Sequence, residues 1–383
     1  MHFAVDAHAI GRRLTGNEVY VRSLLEGFAA LDHHSRVTAY YCAPEAPARI
    51  PARFHARRVA ANPFLRLGFD LSRKLSEDRP DLVHVQYTAP LNCPVPVVAS
   101  VHDISFLEHP EFFPSSRSWQ LSLTVERTVR RAVRVLTPSE FSRQTVLRAY
   151  GLPPEKVVAI PIAASPQFRV VQPDLSRQRV HERFGLRAPY VLCVGDLQPR
   201  KNQIGLIAAF HRLAGAEPQL PHHLVFAGKE GFFGDRVRAA ARGDGLGDRI
   251  HFTGFVSDDE LVDLYCAADA MVFPSRYEGF GLPVVEAMAC GCPVACSNTT
   301  ALPEVANATA LLFDPRETEA MSGAMRDLLV DAELRARMGR LGLQRAASFS
   351  WQETARRTME VYREVAGLAA GPAHAAGVRA ARS

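Results

Sequence analysis

The chain has 383 residues, 47% of them hydrophobic and 22% charged, with a formal net charge of +5; this is the balance of a two-domain globular protein, not of a disordered or membrane-embedded one. No run approaches the roughly 20 apolar residues that a membrane helix requires. Seven cysteines, an odd number without a Cys-x-x-Cys pair, fit buried thiols rather than a disulfide framework.

Cys290, Cys292 and Cys296 cluster, but no histidine nearby completes a zinc pattern, and no metal site is expected. The mildly basic balance suits anionic ligands or a membrane surface and does not call for nucleic acid. Met1-His-Phe-Ala-Val-Asp6 enters a strand at once instead of offering a basic and then apolar leader, which predicts a cytoplasmic protein.

Taken in order, the first strand (Phe3 to His8) leads through Gly11 and Thr15-Gly16-Asn17-Glu18 into a helix whose Val21, Leu24, Leu25, Phe28 and Leu31 keep helical spacing. The turn lacks a G-x-G-x-x-G fingerprint, which argues against a Rossmann oxidoreductase. Short apolar runs at 37–42, 82–86, 95–101 and 133–137 alternate with helical patterns, predicting a parallel sheet covered on both faces. The run at 95–101 ends in His102-Asp103, placing both at the carboxyl edge, beside the Thr15–Glu18 turn if their strands are neighbours. A helix around Trp119–Arg134 puts Arg127, Arg130, Arg131 and Arg134 on a basic stripe opposite Leu121, Val125 and Val129. A weaker version over Pro63–Leu75 sets Phe64, Leu67 and Leu71 against Arg66, Arg73 and Lys74. Such stripes are solvated faces or attract anionic headgroups or the phosphates of a lipid-linked acceptor.

Residues 1–170 form the expected first domain, and the polar, proline-punctuated stretch from Pro166 to about Arg187 reads as a linker. A second α/β domain, 186–349, follows, with strands at 190–194, 223–227, 250–255, 270–273, 293–296 and 310–313. Ser257-Asp-Asp-Glu260 and Ser350-Trp-Gln-Glu353 have capping-box spacing. The helix at 350–368 is expected to pack back on the first domain, and 369–383 to be a disordered tail.

The most informative stretch runs from Ser275 to Gly291. An apolar strand ends at Pro274, Glu278 lies on a loop, Gly279 and Gly281 bracket Phe280, and Pro283 marks the first turn of a helix that contains Glu286. Unpaired N–H groups and the helix dipole favour an anion there, and glycine lets it approach the main chain. Carboxylates on either side accept from hydroxyls, so a sugar attached to a phosphate fits. Arg200-Lys201, after an earlier strand of the same domain, adds a planar donor fork and a compact charge suited to a diphosphate.

These motifs carry a resemblance. Gly195-Asp196-Leu197-x-x-Arg200-Lys201-Asn202, Gly254-Phe255-Val256 and Glu278-Gly279-Phe280-Gly281-Leu282-Pro283-Val-Val-Glu286, followed by Gly291 and Pro293-Val294, stand in the order of the family-4 retaining glycosyltransferases of the GT-B fold. The resemblance covers about residues 1 to 365. His102-Asp103-Ile-Ser-Phe-Leu-Glu-His-Pro110 to Pro114 also resembles bacterial members that transfer mannose or related sugars to lipid-linked oligosaccharides.

It implies two Rossmann-like, doubly wound parallel-sheet domains facing a central cleft. Arg200 and Lys201 would grip the donor diphosphate, Glu278 the transferred sugar, the amides of Gly279, Phe280 and Gly281 its hydroxyls, and Glu286 the ribose. Gly16 would approach the phosphates with Asn17 beside it, although the family's turn there is often richer in glycine. His102 would border sugar and acceptor. Main-chain groups around Phe255 and Val256 would carry the base, with Leu282 nearby. The implied substrates are a nucleotide diphosphate sugar, GDP-mannose ahead of UDP-sugars, and a glycan or polyprenyl-linked acceptor. No cofactor is implied, and the implied partners include peripheral contact with the inner face of an anionic membrane. A non-catalytic nucleotide-sugar-binding module keeps the same glutamates. A retaining hydrolase, with two carboxyls about 5 Å apart, is disfavoured on the expectation that the adjacent cations hold both acids ionised.

Overall fold

The computed structural model describes residues 1–12, 15–187, 189–243 and 245–369; the tail expected to be disordered lies outside them from residue 370 on. The chain divides into two compact units, Met1–Ile162 with Ser350–Ser383, and Ala163–Phe349.

The first unit runs β1 (His2–Asp6), α1 (Thr15–Leu31), β2 (Arg36–Tyr41), β3 (His55–Arg58), α2 (Pro63–Leu65), a π-helical turn (Arg66–Asp70), α3 (Leu71–Asp78), β4 (Leu82–Gln86), β5 (Val97–Ser100), α4 (Ser105–Glu108), α5 (Ser115–Arg131), β6 (Arg134–Thr137), α6 (Glu140–Tyr150) and β7 (Val157–Ala159). All strands are parallel, in the order β3-β2-β1-β4-β5-β6-β7. Helices cover both faces of such a sheet, so its central strands are enclosed, and every residue of Leu82–Gln86 is buried, the polar His84 and Gln86 included. Local signals set the boundaries. Ser139 Oγ accepts from Ser142 N (3.0 Å) at the start of α6, and Gly151, at φ 60°, closes it.

The second unit contains α7 (Pro173–Phe184), β8 (Tyr190–Val194), α8 (Gln203–Ala216), β9 (His223–Ala227), α9 (Gly234–Arg242), β10 (Ile250–Gly254), α10 (Asp258–Ala267), β11 (Ala270–Phe273), α11 (Leu282–Ala289), β12 (Val294–Ser297), α12 (Leu302–Ala306), β13 (Leu311–Phe313), α13 (Thr318–Val330) and α14 (Ala332–Ala346). Its sheet is again parallel, in the order β10-β9-β8-β11-β12-β13. The capping box at Ser257 and Glu260 is complete. The final helix, α15 (Trp351–Ala369), belongs to the first unit, where it packs on α1. Contact is close enough that a Cβ on Gly27 would stand 2.6 Å from Ala355 Cβ, and Tyr362 lies 5.1 Å from Phe3 and 5.4 Å from Phe28 between ring centroids.

Four expectations change. Residues 163–170 cluster with the second unit, not the first, because Phe168 meets the Tyr265 ring edge-on at 6.1 Å and Cys266 Sγ donates to Arg169 O. The expected linker contains α7, whose Ser176 and Val180 are buried. Helix α5 stops at Arg131, so Arg134 leaves the basic stripe for β6 and pairs with Glu364. Across Pro63–Leu75 the π turn shifts the helical register, which buries Arg66 and leaves Phe64 79% exposed, opposite to the amphipathic reading for these two residues, while Leu71 is buried and Arg73 exposed as that reading has them.

Candidate active site

In both sheets the strand order reverses between the first and fourth strands of the unit, β1 and β4 or β8 and β11. The loops leaving their carboxyl ends diverge, and the crevice between them is where open α/β sheets take ligands. In the second unit, the loop after β8 carries Arg200 and Lys201 and the loop after β11 carries Glu278. Arg200 Nη1 lies 2.9 Å from Glu278 Oε2, and Lys201 Nζ lies 2.7 Å from Oε1. Arg200 Nη1 also donates to Tyr277 O (2.6 Å), while Arg276 N donates to Arg200 O (2.8 Å), so main chain and side chain together join the loops. From below, Lys201 Nζ sits 4.6 Å from the centre of the Phe273 ring, and its methylenes lie where a Cβ on Gly195 (φ 139°) would need to go.

All three side chains are largely buried. Burial by itself would raise the Glu278 carboxyl, but Arg200 and Lys201 outweigh it and hold the group down at about 2. Burial lowers Lys201, with Glu278 working against that. Glu278 is therefore a fixed acceptor, and two cations against one carboxylate leave a surplus of positive charge for an anion. Thr300 Oγ1 orients the same segment by accepting from Glu278 N (3.0 Å).

Gly281 begins α11 in the left-handed region (φ 102°), and a Cβ there would stand 2.5 Å from Leu302 Cδ2. Gly279 is buried, Leu282 half-buried, and Phe280 packs on Phe349 at 5.5 Å. Glu286 lies inside α11, its Oε2 accepting from Tyr265 OH (3.2 Å). Burial pushes its carboxyl up to about 8; Asp258 adds to this, and Tyr265 and Lys201 only partly offset it. The expectation that neighbouring cations ionise both acids is thus corrected: the cations are clamped on Glu278, and Glu286 is protonated at neutral pH. Phe255 and Val256 follow β10, Phe255 being 48% exposed with Lys229 Nζ 5.2 Å from its ring.

In the first unit, His102 follows β5, half-buried, with Nε2 3.1 Å from Gln86 Oε1. Burial lowers its pKa to about 4. Asp103 does not pair with it, accepting instead from Ser105 N (2.9 Å) and Oγ (2.6 Å). Strands β1 and β5 are not neighbours, since β4 lies between them; contact with α1 comes through Tyr20, edge-on to His102 at 4.6 Å. Gly16 and Asn17 lie in the first turn of α1, not in a free turn, and are exposed and half-exposed. Nearby, at the end of β1, buried Asp6 faces His8 (3.1 Å) and Arg66 (4.0 Å).

Two family models cover most of the chain, Glycosyltransferase Family 4 over residues 14–167 and Glycosyl transferases group 1 over 176–345. The O-antigen chain mannosyltransferase B of Escherichia coli is 34% identical over 268 residues, 70% of this chain and 70% of that protein. The chain belongs to the family-4 glycosyltransferases. The glycosyltransferase is also 31% identical over 299 residues to the serotype-specific mannosyltransferase WbdA of Escherichia coli, spanning 73% of its own length and 36% of that longer protein. Sucrose-phosphate synthase from Thermosynechococcus elongatus (TM-score 0.79, 22% identity, 95% of this chain and 99% of that one) and Anabaena HepE in complex with UDP-glucose (TM-score 0.75, 19% identity, 95% and 99%) share its fold. That fold is GT-B, two α/β units each built on a parallel sheet.

Nothing in the sequence pattern of this glycosyltransferase singles out Tyr265, Thr300 or Phe273, which hold Glu286, Glu278 and Lys201 in place. They read as ordinary helix, loop and strand residues. Asp6 carried a usable signal, an acidic residue at the carboxyl end of an otherwise apolar strand. Among the described residues, no group of three or more His, Cys, Asp or Glu side chains is arranged to hold a metal ion, and no helix is long and apolar enough to cross a membrane.

Proposed function

We propose that this glycosyltransferase moves a mannosyl residue from GDP-mannose, with retention of configuration, to a glycan or polyprenyl-linked glycan acceptor at the cytoplasmic face of an anionic membrane. The observation that carries the reading is the convergence of Arg200 and Lys201 on Glu278 at the strand-order reversal of the second sheet. Arg200 and Lys201 bind the donor diphosphate and stabilise the charge it gains as the glycosidic bond breaks. Glu278, ionised throughout the working range, accepts from hydroxyls of the sugar. The amides of Gly279, Phe280 and Gly281 and the start of α11 add donors. Glu286 bonds the ribose, Phe255 and Val256 flank the base with Leu282 nearby, Gly16 and Asn17 approach the phosphates, and His102 borders the sugar and acceptor. Reaction proceeds through a short-lived oxocarbenium-like ion pair in which the leaving diphosphate takes the acceptor's proton.

Mannose is supported by what the similar proteins are called, mannosyltransferases. The decisive variant is Arg200→Ala, for which kcat should fall by about 10²–10³, as when one donor to a developing anion is removed. Unchanged release of nucleotide from the sugar nucleotide would end the assignment. A thermal-shift panel of GDP and UDP separates the donors, since a ligand at a hundredfold its Kd adds about 2.7 kcal/mol; a larger shift with UDP removes mannose from GDP as the donor.

A further inference from the structure

Of the seven cysteines, six are buried and one, Cys266 near the end of α10, is half-exposed. The sequence cluster of Cys290, Cys292 and Cys296 separates in the fold. Cys296 lies within β12, wholly buried, whereas Cys290 closes α11 and its thiol bonds that of Cys266. Cys266 Sγ also stands 3.7 Å from Cys290 O and accepts from Val171 N at 3.4 Å. Two thiols from separate helices, 24 positions apart in the chain, are thus held against each other at the edge of solvent.

The two are not equivalent. The bond from Cys290 lowers the Cys266 thiol most; burial opposes it and the Val171 amide assists it. The same bond, and then burial, raises Cys290. Cys266 is therefore the thiolate of the pair and Cys290 the protonated donor. A half-exposed thiolate beside a resolving thiol is the arrangement that peroxide converts to a disulfide. Cys292 is buried and its Sγ faces Pro293 O (3.7 Å). The pair also adjoins the donor site. Glu286 precedes Cys290 by four residues, hence on the same side of α11, and Tyr265, whose hydroxyl bonds Glu286, adjoins Cys266 on α10. The thiol contact and the phenol-carboxyl contact are neighbours, so a covalent bond in the first displaces the second.

We propose that Cys266 and Cys290 are a peroxide-oxidised dithiol site whose disulfide weakens donor binding by displacing Glu286. The Cys266 thiolate attacks one oxygen of hydrogen peroxide, giving a sulfenic acid and hydroxide. Cys290 then attacks the sulfenic sulfur; the S–S bond forms, and the hydroxyl leaves as water with the Cys290 proton. Dithiothreitol returns two electrons and two protons and becomes a cyclic disulfide. The effect on donor binding rests on the ribose role of Glu286 in the functional reading, and the disulfide itself does not.

Full-length protein is treated with hydrogen peroxide, digested without reduction and mapped by mass spectrometry. A peptide linking Cys266 to Cys290 is expected, and dithiothreitol should remove it. In Cys290→Ala the sulfenic acid on Cys266 should persist and be captured by dimedone, and Cys266→Ser should give neither product. GDP and UDP are titrated on the same samples. Oxidation should weaken whichever nucleotide the reduced protein binds by about fivefold, as for one lost hydrogen bond, reversibly with dithiothreitol. Cys266→Ser should bind as the reduced wild type does and ignore peroxide. A link from Cys266 to Cys292 instead, oxidation of Cys266 to sulfinic acid with Cys290 still reduced, or unchanged nucleotide binding by cross-linked protein would overturn the proposal. Reduced protein that binds neither nucleotide would strike the functional reading, and the peptide map would still decide the dithiol.

Discussion

The two sheets share a strand order, and at the reversal both hold charge: Asp6 faces His8 and Arg66 at the end of β1, and a larger cluster follows β8 and β11. The first unit adds a different solution one strand over. Where β8 and β11 part, the second unit gathers Arg200, Lys201 and Glu278, full charges balanced by close contact. Between β4 and β5 the first unit builds a neutral ladder: Tyr362 OH bonds His84 Nδ1, His84 Nε2 bonds Ser100 Oγ (2.7 Å), and Ser100 Oγ bonds Tyr20 OH (2.7 Å). Burial keeps both imidazoles of this region unprotonated, His84 near 3 and His102 near 4. Polarity that cannot reach water must be paired, either by opposite charge or by hydroxyls. The ionic solution suits charged oxygen and the neutral one hydroxyl groups, a division that matches the donor and acceptor halves of the proposed reaction.

Breaking the ionic solution should have the largest effect. Glu278→Ala leaves Arg200 and Lys201 buried without their counter-charge, and removing one partner of a buried pair costs about 3–5 kcal/mol. Urea unfolding of the second unit, followed by amide exchange in β8 and β11, reads this. A loss below about 1 kcal/mol, the range of exposed pairs, would show that the contact contributes little.

Within the second unit, Glu286 sharpens the contrast because it is buried beside the ionic cluster yet not ionised. Its folded pKa, raised from the ordinary 4.5 to about 8, means that the folded state holds a proton the unfolded chain has released. That contribution is fully present below pH 4.5 and is lost as pH rises through 8, at up to about 1.4 kcal/mol per unit. Glu278 has the opposite sign: held at about 2, it stabilises above pH 4.5 and ceases to as pH falls through 2. Glu286→Gln should therefore flatten the stability profile between pH 5 and 8 and leave the acid limb alone. Parallel wild-type and variant curves over that range would rule out a protonated Glu286.

Much of this was legible from residue order. The parallel sheets follow from apolar runs at 3–8, 82–86, 190–194 and 270–273 alternating with helical spacing, and Pro283 and the two flanking glycines mark the start of α11. Strand β3 was not legible, since His55-Ala-Arg-Arg58 is a partly exposed edge without an apolar run. Helix α7 was hidden by Pro173, which reads as a break in a polar stretch but here occupies the first helical turn. Glu286 shows the deeper limit. Its position can be read from the helix start, but its protonation depends on which neighbour claims the cations, and that is decided by Arg200 and Lys201 reaching Glu278, Lys201 across 77 residues of chain.

The smallest expected effect tests the neutral side of the comparison. His102 has a folded pKa of about 4, below its ordinary 6.5, so the unfolded chain takes up a proton that the folded one refuses. Stability of the first unit should fall as pH drops from 6.5 through 4, with His84 adding a second, deeper proton. His102→Gln removes one of the two. At pH 7.5 it should change stability by less than about 1 kcal/mol, because the ring makes a single 3.1 Å side-chain bond to Gln86. At pH 5 the variant should gain on the wild type by about 1 kcal/mol or more, since the cost of keeping one imidazole neutral is gone. Amide exchange in β4 and β5 at the two pH values measures both numbers. An unchanged acid limb would mean that His102 takes up its proton in the folded state, and the carboxyl edge of the first sheet would then be a second site of positive charge.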